Sequence, residues 1–250
     1  MNPERFRLHY ILGLTPADDG EATRWNLGRR RGKCFHALLE GVKRSELVAE
    51  FGEELVARCE VLFTVFPDLE AMDWVERSFE IPIGDGKHSI NGRIDHRFLE
   101  GVDRIVGDCK TTKGTRTKKE VQDYLGELTT SPQSHFYLHA ARHWGEPTDR
   151  FRYHVLFDHK DAKSKPTYWP IDLYIGETEV ARTMASVYAA CEAIEGLLER
   201  VGESKPWPHS NHWPCCGDRF FCGYQELCGR ELLKGCIPPG FTNRYASEDE

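Results

Sequence analysis

The spacing of apolar residues changes along this 250-residue chain. Over Leu27–Val42 and over Ser45–Phe63, apolar side chains recur every three to four positions, which predicts two amphipathic helices. Farther along, apolar and polar residues alternate, which is typical of half-buried strands. This alternation predicts three strands, Trp74–Ile83, Ser89–Leu99 and Arg104–Lys110, joined in an antiparallel meander.

The second half of the chain mixes both patterns. Ser131 and Pro132 predict the start of a helix that runs to Trp144, since serine caps helices and proline suits the first helical position. Residues 114–128 are polar and charged, and predict a mobile segment or a weak helix. The other predicted elements are two strands and a long helix, at Phe151–His159, Thr167–Ile175 and Thr178–Val201.

These elements predict one α/β domain, a mostly β sheet with helices on its faces, over residues 1–204. Residues 205–250 are rich in proline, tryptophan, histidine and cysteine and show little periodicity, so we expect a cysteine-rich C-terminal cap packed on that core. Apolar residues make up 40% of the chain and charged residues 29%, as in ordinary globular proteins. No apolar run is long enough for a membrane span, and the start lacks the apolar core of a signal peptide, which predicts a cytoplasmic location.

The net charge of −7 argues against a nucleic-acid partner, but the distribution of charge matters more than its sum. Two short segments are strongly basic, and either could be a solvated face or a path for a nucleic-acid strand. They contain Arg29, Arg30, Arg31 and Lys33 in the first segment, and Lys110, Lys113, Arg116, Lys118 and Lys119 in the second.

The stretch from Gly92 to Lys113 contains the strongest candidate chemistry. Asp95 lies in the second predicted strand, and Asp108 and Lys110 end the third. Alternation puts Asp108 and Lys110 on one face of that strand and Cys109 on the other. Two carboxylates and an amine make a poor core but a good place to hold a divalent cation and a water molecule. Glu80, on the preceding strand, is either a third carboxylate of this site or a surface residue.

Two further candidates lie on predicted helices. His36 follows the first basic segment, and Gln133 and Tyr137 are four residues apart, so their side chains project the same way. Four short motifs therefore occur in order along the chain. They are Gly32-x-x-x-His36, Gly92-Arg-Ile-Asp95, Asp108-Cys-Lys110 and Gln133-x-x-x-Tyr137.

In order and spacing, these motifs resemble those of the PD-(D/E)xK nuclease superfamily, and most closely its RecB-like exonuclease branch, which includes phage and CRISPR-associated members. The resemblance implies a restriction-endonuclease-like core, with a central mixed sheet flanked by helices. It also implies that His36, Asp95 and Asp108 are metal ligands, often joined by the backbone carbonyl of Cys109. Lys110 would then position or activate the attacking water.

By the same resemblance, Gln133 and Tyr137 support the catalytic residues near the DNA strand. Phosphodiester cleavage needs an in-line hydroxide and positive charge on the developing oxyanion, and Mg²⁺ supplies both. Oxygen ligands suit Mg²⁺, and an added imidazole also admits Mn²⁺. A metal so close to Lys110 is expected to depress the pKa of this lysine.

Five of the nine cysteines fall within one short C-terminal segment, which without a secretion signal favours a metal or cluster site over disulfides. Many RecB-like nucleases hold a [4Fe–4S] cluster with three such cysteines and a fourth near the N-terminus, so that the cluster joins the two ends of the chain. Asn2 stands where the N-terminal cysteine is expected. Zinc and unliganded thiols are the alternatives. The resemblance assigns Cys216, Cys222 and Cys228 as ligands. For the fourth, either Cys215, Cys34 or Cys236 substitutes, or the chain starts slightly late, or the cluster is lost.

The resemblance implies a Mg²⁺- or Mn²⁺-dependent exodeoxyribonuclease that acts on single-stranded DNA or duplex ends, with the basic segments along the strand. A catalytically silent nucleic-acid-binding or adaptor protein on the same fold is the alternative. Either protein could act alone or with other recombination, replication or CRISPR-adaptation proteins, in a bacterium or a phage-infected host. Retention of Asp95, Asp108 and Lys110 favours the enzyme, since a silent copy is free to lose them.

Overall fold

The computed structural model describes residues 14–16, 23–66, 72–113, 118–158, 165–203, 205 and 241–243. Contacts along the chain divide it into two compact units. One unit is Thr23–Tyr188, and the other combines the two ends of the chain, Met1–Ala22 and Ala189–Glu250. All the candidate site residues that the structure describes lie in the first unit.

Three helices begin this first unit, α1 at Thr23–Leu39, α2 at Arg44–Phe51 and α3 at Glu53–Phe63. The helix predicted for Ser45–Phe63 is therefore two helices. They separate at Gly52, whose φ of 88° lies in the left-handed region that glycine adopts without steric cost. The amide of Gly52 still donates to the carbonyl of Val48, so α2 ends with a satisfied backbone group.

A five-stranded sheet forms the centre of the unit, and its strands lie side by side in chain order. The first three pair antiparallel, which confirms the predicted meander, whereas the third and fourth pair parallel and the last two antiparallel. The predicted mixed sheet flanked by helices is thus confirmed. The strands are β2 at Met72–Ile83, β3 at His88–Glu100, β4 at Asp103–Lys113, β5 at Arg150–Asp158 and β6 at Thr167–Tyr174.

Two helices lie between β4 and β5, because parallel neighbours need a long crossover connection. They are α4 at Lys118–Thr129 and α5 at Gln133–His143. The polar segment predicted to be mobile or weakly helical thus contains a defined helix. The helix begins one residue later than predicted, with Pro132 at the N-cap position, and the Oγ of Ser131 accepts a hydrogen bond from the amide of Gln133 at 3.3 Å. A sixth helix, α6, runs from Glu177 to Val201.

Helices α1–α3 bury their apolar side chains against one face of the sheet. Cys34, Cys59 and Cys109 belong to this apolar core and are free thiols, as expected of isolated cysteines in a packed interior. Burial raises the pKa of the Cys59 thiol well above its ordinary value, so the thiol stays protonated at neutral pH. These cysteines are therefore packing residues.

The second unit contains a small two-stranded sheet. Strand β1, Leu14–Pro16, pairs antiparallel with β7, Phe241–Asn243, with Leu14 opposite Asn243. Of the predicted cluster ligands, Cys215, Cys216, Cys222, Cys228 and Cys236 lie outside the described residues, so the cysteine-rich cap and its cluster stay predictions. Among the described residues, no helix combines the length and apolar character that a membrane span requires.

A buried ion-pair cluster joins the helices to the sheet. Asp158 lies at the end of β5 and forms two ion pairs. Its Oδ2 lies 3.1 Å from Nη1 of Arg31 in α1, and its Oδ1 pairs with Arg58 of α3. The side chains of Arg31 and Asp158 are only 8% and 13% exposed. One carboxylate thus compensates two guanidinium groups taken largely out of water.

We predict that Asp158→Asn lowers the free energy of unfolding by about 3 kcal/mol, since removing one partner leaves a buried charge uncompensated. Urea unfolding followed by circular dichroism measures this change. The matched control is Glu53→Gln, which breaks the exposed pair with Arg44 and should leave the unfolding midpoint unchanged. Equal midpoints for the two variants would contradict the structural role of Asp158.

Candidate active site

The predicted site residues come together at one place beside the sheet. Asp95 of β3 and Asp108 of β4 lie side by side, because the antiparallel register pairs their neighbours His96 and Gly107. Helix α1 brings His36 to Asp95, and α5 brings Gln133 to Asp108. The structure therefore assembles four sequence motifs from two helices and two strands.

Asp108 is the most enclosed group of the site, with 1% of its residue surface exposed. Its Oδ2 lies 2.6 Å from Nζ of Lys110, and its Oδ1 accepts a hydrogen bond from Nε2 of Gln133 at 2.6 Å. The same Gln133 nitrogen lies 2.8 Å from the hydroxyl of Tyr137. Lys110, Gln133 and Tyr137 thus fix the orientation of one carboxylate.

Asp95 is held from the strand beside it. Its Oδ2 accepts a hydrogen bond from the backbone amide of Cys109 at 2.7 Å and lies 3.6 Å from Nε2 of His36. The thiol of Cys109 lies 3.8 Å from Nδ1 of the buried His96 and takes no part in the site. A metal contact from the Cys109 carbonyl stays a prediction.

Glu76 of β2 is a site residue that the sequence analysis missed. Its Oε1 lies 3.0 Å from Nδ1 of His36, and its Oε2 pairs with Arg93. The third carboxylate considered from the sequence was Glu80, which is exposed and accepts a hydrogen bond from Ser89. Glu76, and not Glu80, is the third carboxylate of this site.

Hairpin register was the signal that could have found Glu76. Ile83 pairs with His88 next to the turn. Glu76 lies seven residues before Ile83, and Asp95 lies seven residues after His88, so the hairpin register puts them opposite each other. Alternation alone fails here, because Glu76 has a φ of 52°, a left-handed conformation that is rare for residues other than glycine. Such a conformation persists only where surrounding contacts enforce it, and these positions cluster at functional sites.

Packing against Phe79 explains why the first residue of the Gly-Arg-Ile-Asp motif is a glycine. A Cβ at Gly92 would lie 2.7 Å from the ring of Phe79, a distance that real Cβ atoms do not show. Phe79 in turn packs its ring edge-on against Tyr137, with centroids 6.2 Å apart. Gly92 therefore leaves room for the aromatic side chain that supports Tyr137, and Tyr137 contacts Gln133.

The two aspartates resist ionisation. Burial raises the pKa of Asp95, and the negative charge of Asp108 adds to the effect. Burial also raises the pKa of Asp108, although Lys110 opposes this shift. Two carboxyl groups this close and this dry favour a bound cation or a shared proton.

The two basic groups of the site, His36 and Lys110, favour their charged forms. Burial works against the charged form of His36, but the hydrogen bond to Glu76 and the charges of Asp95 and Asp108 raise its pKa to about 9. Burial likewise disfavours the charge on Lys110, yet the carboxylate of Asp108 outweighs it, and the pKa of Lys110 is raised. The lysine is thus an ammonium group in this structure. The depressed pKa predicted from the sequence concerns the site with a metal bound, and it stays a prediction.

The donor set fits a divalent cation. His36, Glu76 and Asp95 can each offer one ligand atom, and these atoms lie within 4.8 Å of one another. In addition, Oδ2 of Asp108 and Oε2 of Glu76 are buried and make no hydrogen bond of good geometry, only ion pairs. A buried carboxylate oxygen beside an imidazole suits Mg²⁺ or Mn²⁺, and Oδ2 of Asp108 is such an oxygen, whereas Oε2 of Glu76 is paired with Arg93.

The basic segments differ in their availability. Arg29 and Lys33 are exposed, whereas Arg30 donates to the carbonyl of Phe51 and Arg31 is buried against Asp158. The charge of Arg31 is therefore compensated inside the protein, and we do not place it along a strand path. In the second segment, Arg116 and the side chains of Lys113, Lys118 and Lys119 lie outside the described residues.

The sequence of this chain matches the family model of the PD-(D/E)XK nuclease superfamily over residues 2–229. Among solved structures, SSO0001 is 15% identical, with 92% of this chain and 82% of that one covered and a TM-score of 0.37. A protein from Eubacterium rectale named "Putative exonuclease" is 14% identical, with 85% and 77% covered and a TM-score of 0.46. No curated protein matches the sequence significantly.

We predict that Asp95→Asn stabilises the protein in the presence of a chelator, and increasingly so as pH rises from 5 to 8. A carboxyl whose folded pKa is raised loses stability once the unfolded chain ionises and the folded chain cannot. The gain should reach at least about 1 kcal/mol at pH 8. Thermal melts across this range measure it, with the exposed Asp103→Asn as control. A difference that shrinks towards pH 8 would contradict the assigned electrostatics.

Proposed function

Because the chain belongs to the PD-(D/E)XK nuclease superfamily, we propose that it is a divalent-metal-dependent exodeoxyribonuclease of the RecB-like branch. It hydrolyses phosphodiester bonds in single-stranded DNA or at duplex ends. The observation that carries the proposal is the meeting of His36, Asp95, Asp108 and Lys110 in one buried site, with distances of 2.6–3.6 Å along the chain of contacts.

The cation belongs beside the carboxylates. His36, Asp95 and Asp108 would hold it, with the Cys109 carbonyl as the ligand that the resemblance adds. A bound divalent ion supplies a lower pKa for its water and positive charge for the phosphate oxygens. The protein's part is a fixed set of donors in a dry site, where electrostatic interactions are stronger than in water.

Lys110 acts through its charge. Its ammonium group is 28% exposed and pairs with Asp108, so one side can face a water molecule or a phosphate oxygen. An ammonium group paired with Asp108 is a hydrogen-bond donor. We therefore assign Lys110 to orienting the attacking water and stabilising negative charge.

Gln133 and Tyr137 keep Asp108 in place. Burial raises the pKa of Tyr137, so its hydroxyl stays neutral and can donate a hydrogen bond to a strand lying over the site. Exposed Arg29 and Lys33 lie on the same helix as His36 and can neutralise phosphates of that strand. Lys113, Arg116, Lys118 and Lys119 stay predicted contacts.

The remaining parts of the proposal come from the resemblance stated for the sequence. They are the exonuclease mode, the preference for DNA, the [4Fe–4S] cluster with zinc as its alternative, and partners in recombination, replication or CRISPR adaptation. A silent adaptor on the same fold is the rival. Burial raises the pKa of both aspartates, and the charge of Asp108 raises that of Asp95 further. Such a pair is costly to keep, which favours the catalytic protein.

We predict that the protein degrades end-labelled single-stranded DNA when Mg²⁺ or Mn²⁺ is added, and that Asp108→Asn and Lys110→Gln each slow degradation at least about 100-fold. Denaturing gels resolve the products and show whether cleavage starts at an end. Glu80→Gln, an exposed carboxylate on β2, should degrade DNA at the rate of the unaltered protein. Equal rates in all four proteins would overturn the assignment.

We also predict that Mn²⁺ binds more tightly as pH rises from 6.5 to 8. His36 must lose a proton to become a ligand, and its pKa of about 9 means that the proton competes throughout this range. Affinity should rise by up to about tenfold per pH unit for each proton displaced. Calorimetric titration measures this slope, and His36→Ala should make it shallower. A slope unchanged by His36→Ala would exclude His36 as a ligand.

A further inference from the structure

Glu76 differs from the two aspartates of the site in having the ring nitrogen Nδ1 of His36 at hydrogen-bonding distance. Its Oε1 lies 3.0 Å from Nδ1 of His36, and its Oε2 pairs with Nε of Arg93. The Glu76 side chain is 8% exposed, whereas that of Arg93 is 56% exposed. Glu76 thus connects a guanidinium group at the rim with the imidazole inside the site.

The two nitrogens of His36 have different surroundings. Nδ1 is at hydrogen-bonding distance from Glu76, whereas Nε2 is 3.6 Å from Oδ2 of Asp95, too far for a good hydrogen bond. Two atoms that coordinate one cation at about 2.0–2.2 Å are separated by about 3–3.6 Å. Both separations fall within that range, so distance alone does not decide between them. The contact at Nδ1 already has the length of a hydrogen bond, whereas the gap beside Nε2 is too long for a good one and can take a shared cation.

The backbone of Glu76 supplies an independent observation. A φ of 52° within a strand is unfavourable for glutamate, and the flanking residues Val75 and Arg77 keep their ladder partners on β3. The left-handed φ falls on the residue whose carboxylate reaches His36, and the β2–β3 register also shifts between Met72 and Trp74. Contacts to His36 and Arg93 hold the residue in that conformation.

We propose that Glu76 is a positioning residue and not a metal ligand. It accepts the Nδ1–H of His36 and so fixes the tautomer that presents Nε2 to the cation, while Arg93 holds Glu76 from the solvent side. Histidine ligands commonly donate their other ring N–H to a carboxylate in this way. The inference rests on the proposed metal-dependent function, because it assigns roles within the same site.

A double-mutant cycle on Mn²⁺ affinity separates positioning from ligation, with Glu76→Ala, His36→Ala and the double variant titrated by calorimetry. A carboxylate that acts through His36 loses its effect once His36 is gone. We expect Glu76→Ala alone to weaken binding by about 10–100-fold. The double variant should bind within about twofold of His36→Ala. If the affinity loss of the double variant equals the product of the two single losses, Glu76 acts as a ligand in its own right, and the inference is overturned.

Arg93→Ala should weaken binding less than Glu76→Ala does, and should add nothing in the Glu76→Ala background. Glu80→Ala, four residues along β2 and exposed, is the matched control and should bind Mn²⁺ like the unaltered protein. Circular dichroism spectra show whether each variant folds. If Glu76→Ala does not fold, Glu76→Gln replaces it in the cycle, since it keeps the volume and loses the charge.

A spectroscopic readout tests the tautomer directly. With Mg²⁺ bound, nitrogen-15 spectra of the imidazole should show a protonated Nδ1 and an unprotonated Nε2 for His36. Protonation at Nε2 instead would overturn the inference. If the unaltered protein binds neither Mg²⁺ nor Mn²⁺, both the proposed function and this inference are wrong. If it binds metal, but the affinity losses of Glu76→Ala and His36→Ala multiply in the double variant, only this inference is wrong.

Discussion

The close approach of the Asp95 and Asp108 carboxyl groups is the constraint on which the rest of the site depends. Register between two antiparallel strands puts them side by side in a dry place, where two negative charges repel strongly. Each neighbour compensates part of that repulsion: an ammonium group, a backbone amide, a carboxamide and an imidazole. The sheet therefore fixes a concentration of negative charge. Strand β4 compensates part of it with Lys110 and the amide of Cys109, and helices α1 and α5 add His36 and Gln133.

Local patterns explain how much could be predicted. Alternation and turns located β3 and β4 to within a few residues, so Asp95, Asp108 and Lys110 were predicted to lie near one another, as they do in the structure. Helical spacing placed Gln133 and Tyr137 on one face of α5, where they meet each other and Asp108. These assignments succeeded because they depend on contacts within one element or between adjacent strands.

What could not be predicted depends on distant or irregular structure. Arg31 looked available for DNA, but its partner Asp158 is 127 residues away in the sequence. Glu76 escaped because a left-handed residue breaks the alternation from which a strand is read. The pKa of Lys110 is raised because the carboxylate of Asp108 outweighs burial, and the sequence does not show how deeply the pair is buried. The sequence gives the identity of each residue, but its interaction partners and its degree of burial are known only from the folded structure.

The pairing of β1 with β7 has a consequence for the order of events during synthesis. Strand β1 leaves the ribosome early, yet its partner is about 225 residues farther along the chain. Every contact within Thr23–Tyr188 can form before that partner exists, and domains tend to fold as units as they emerge. Closing so long a loop costs entropy that only the finished chain can recover. The small sheet is therefore the last pairing to form, and its presence marks a chain translated through Asn243.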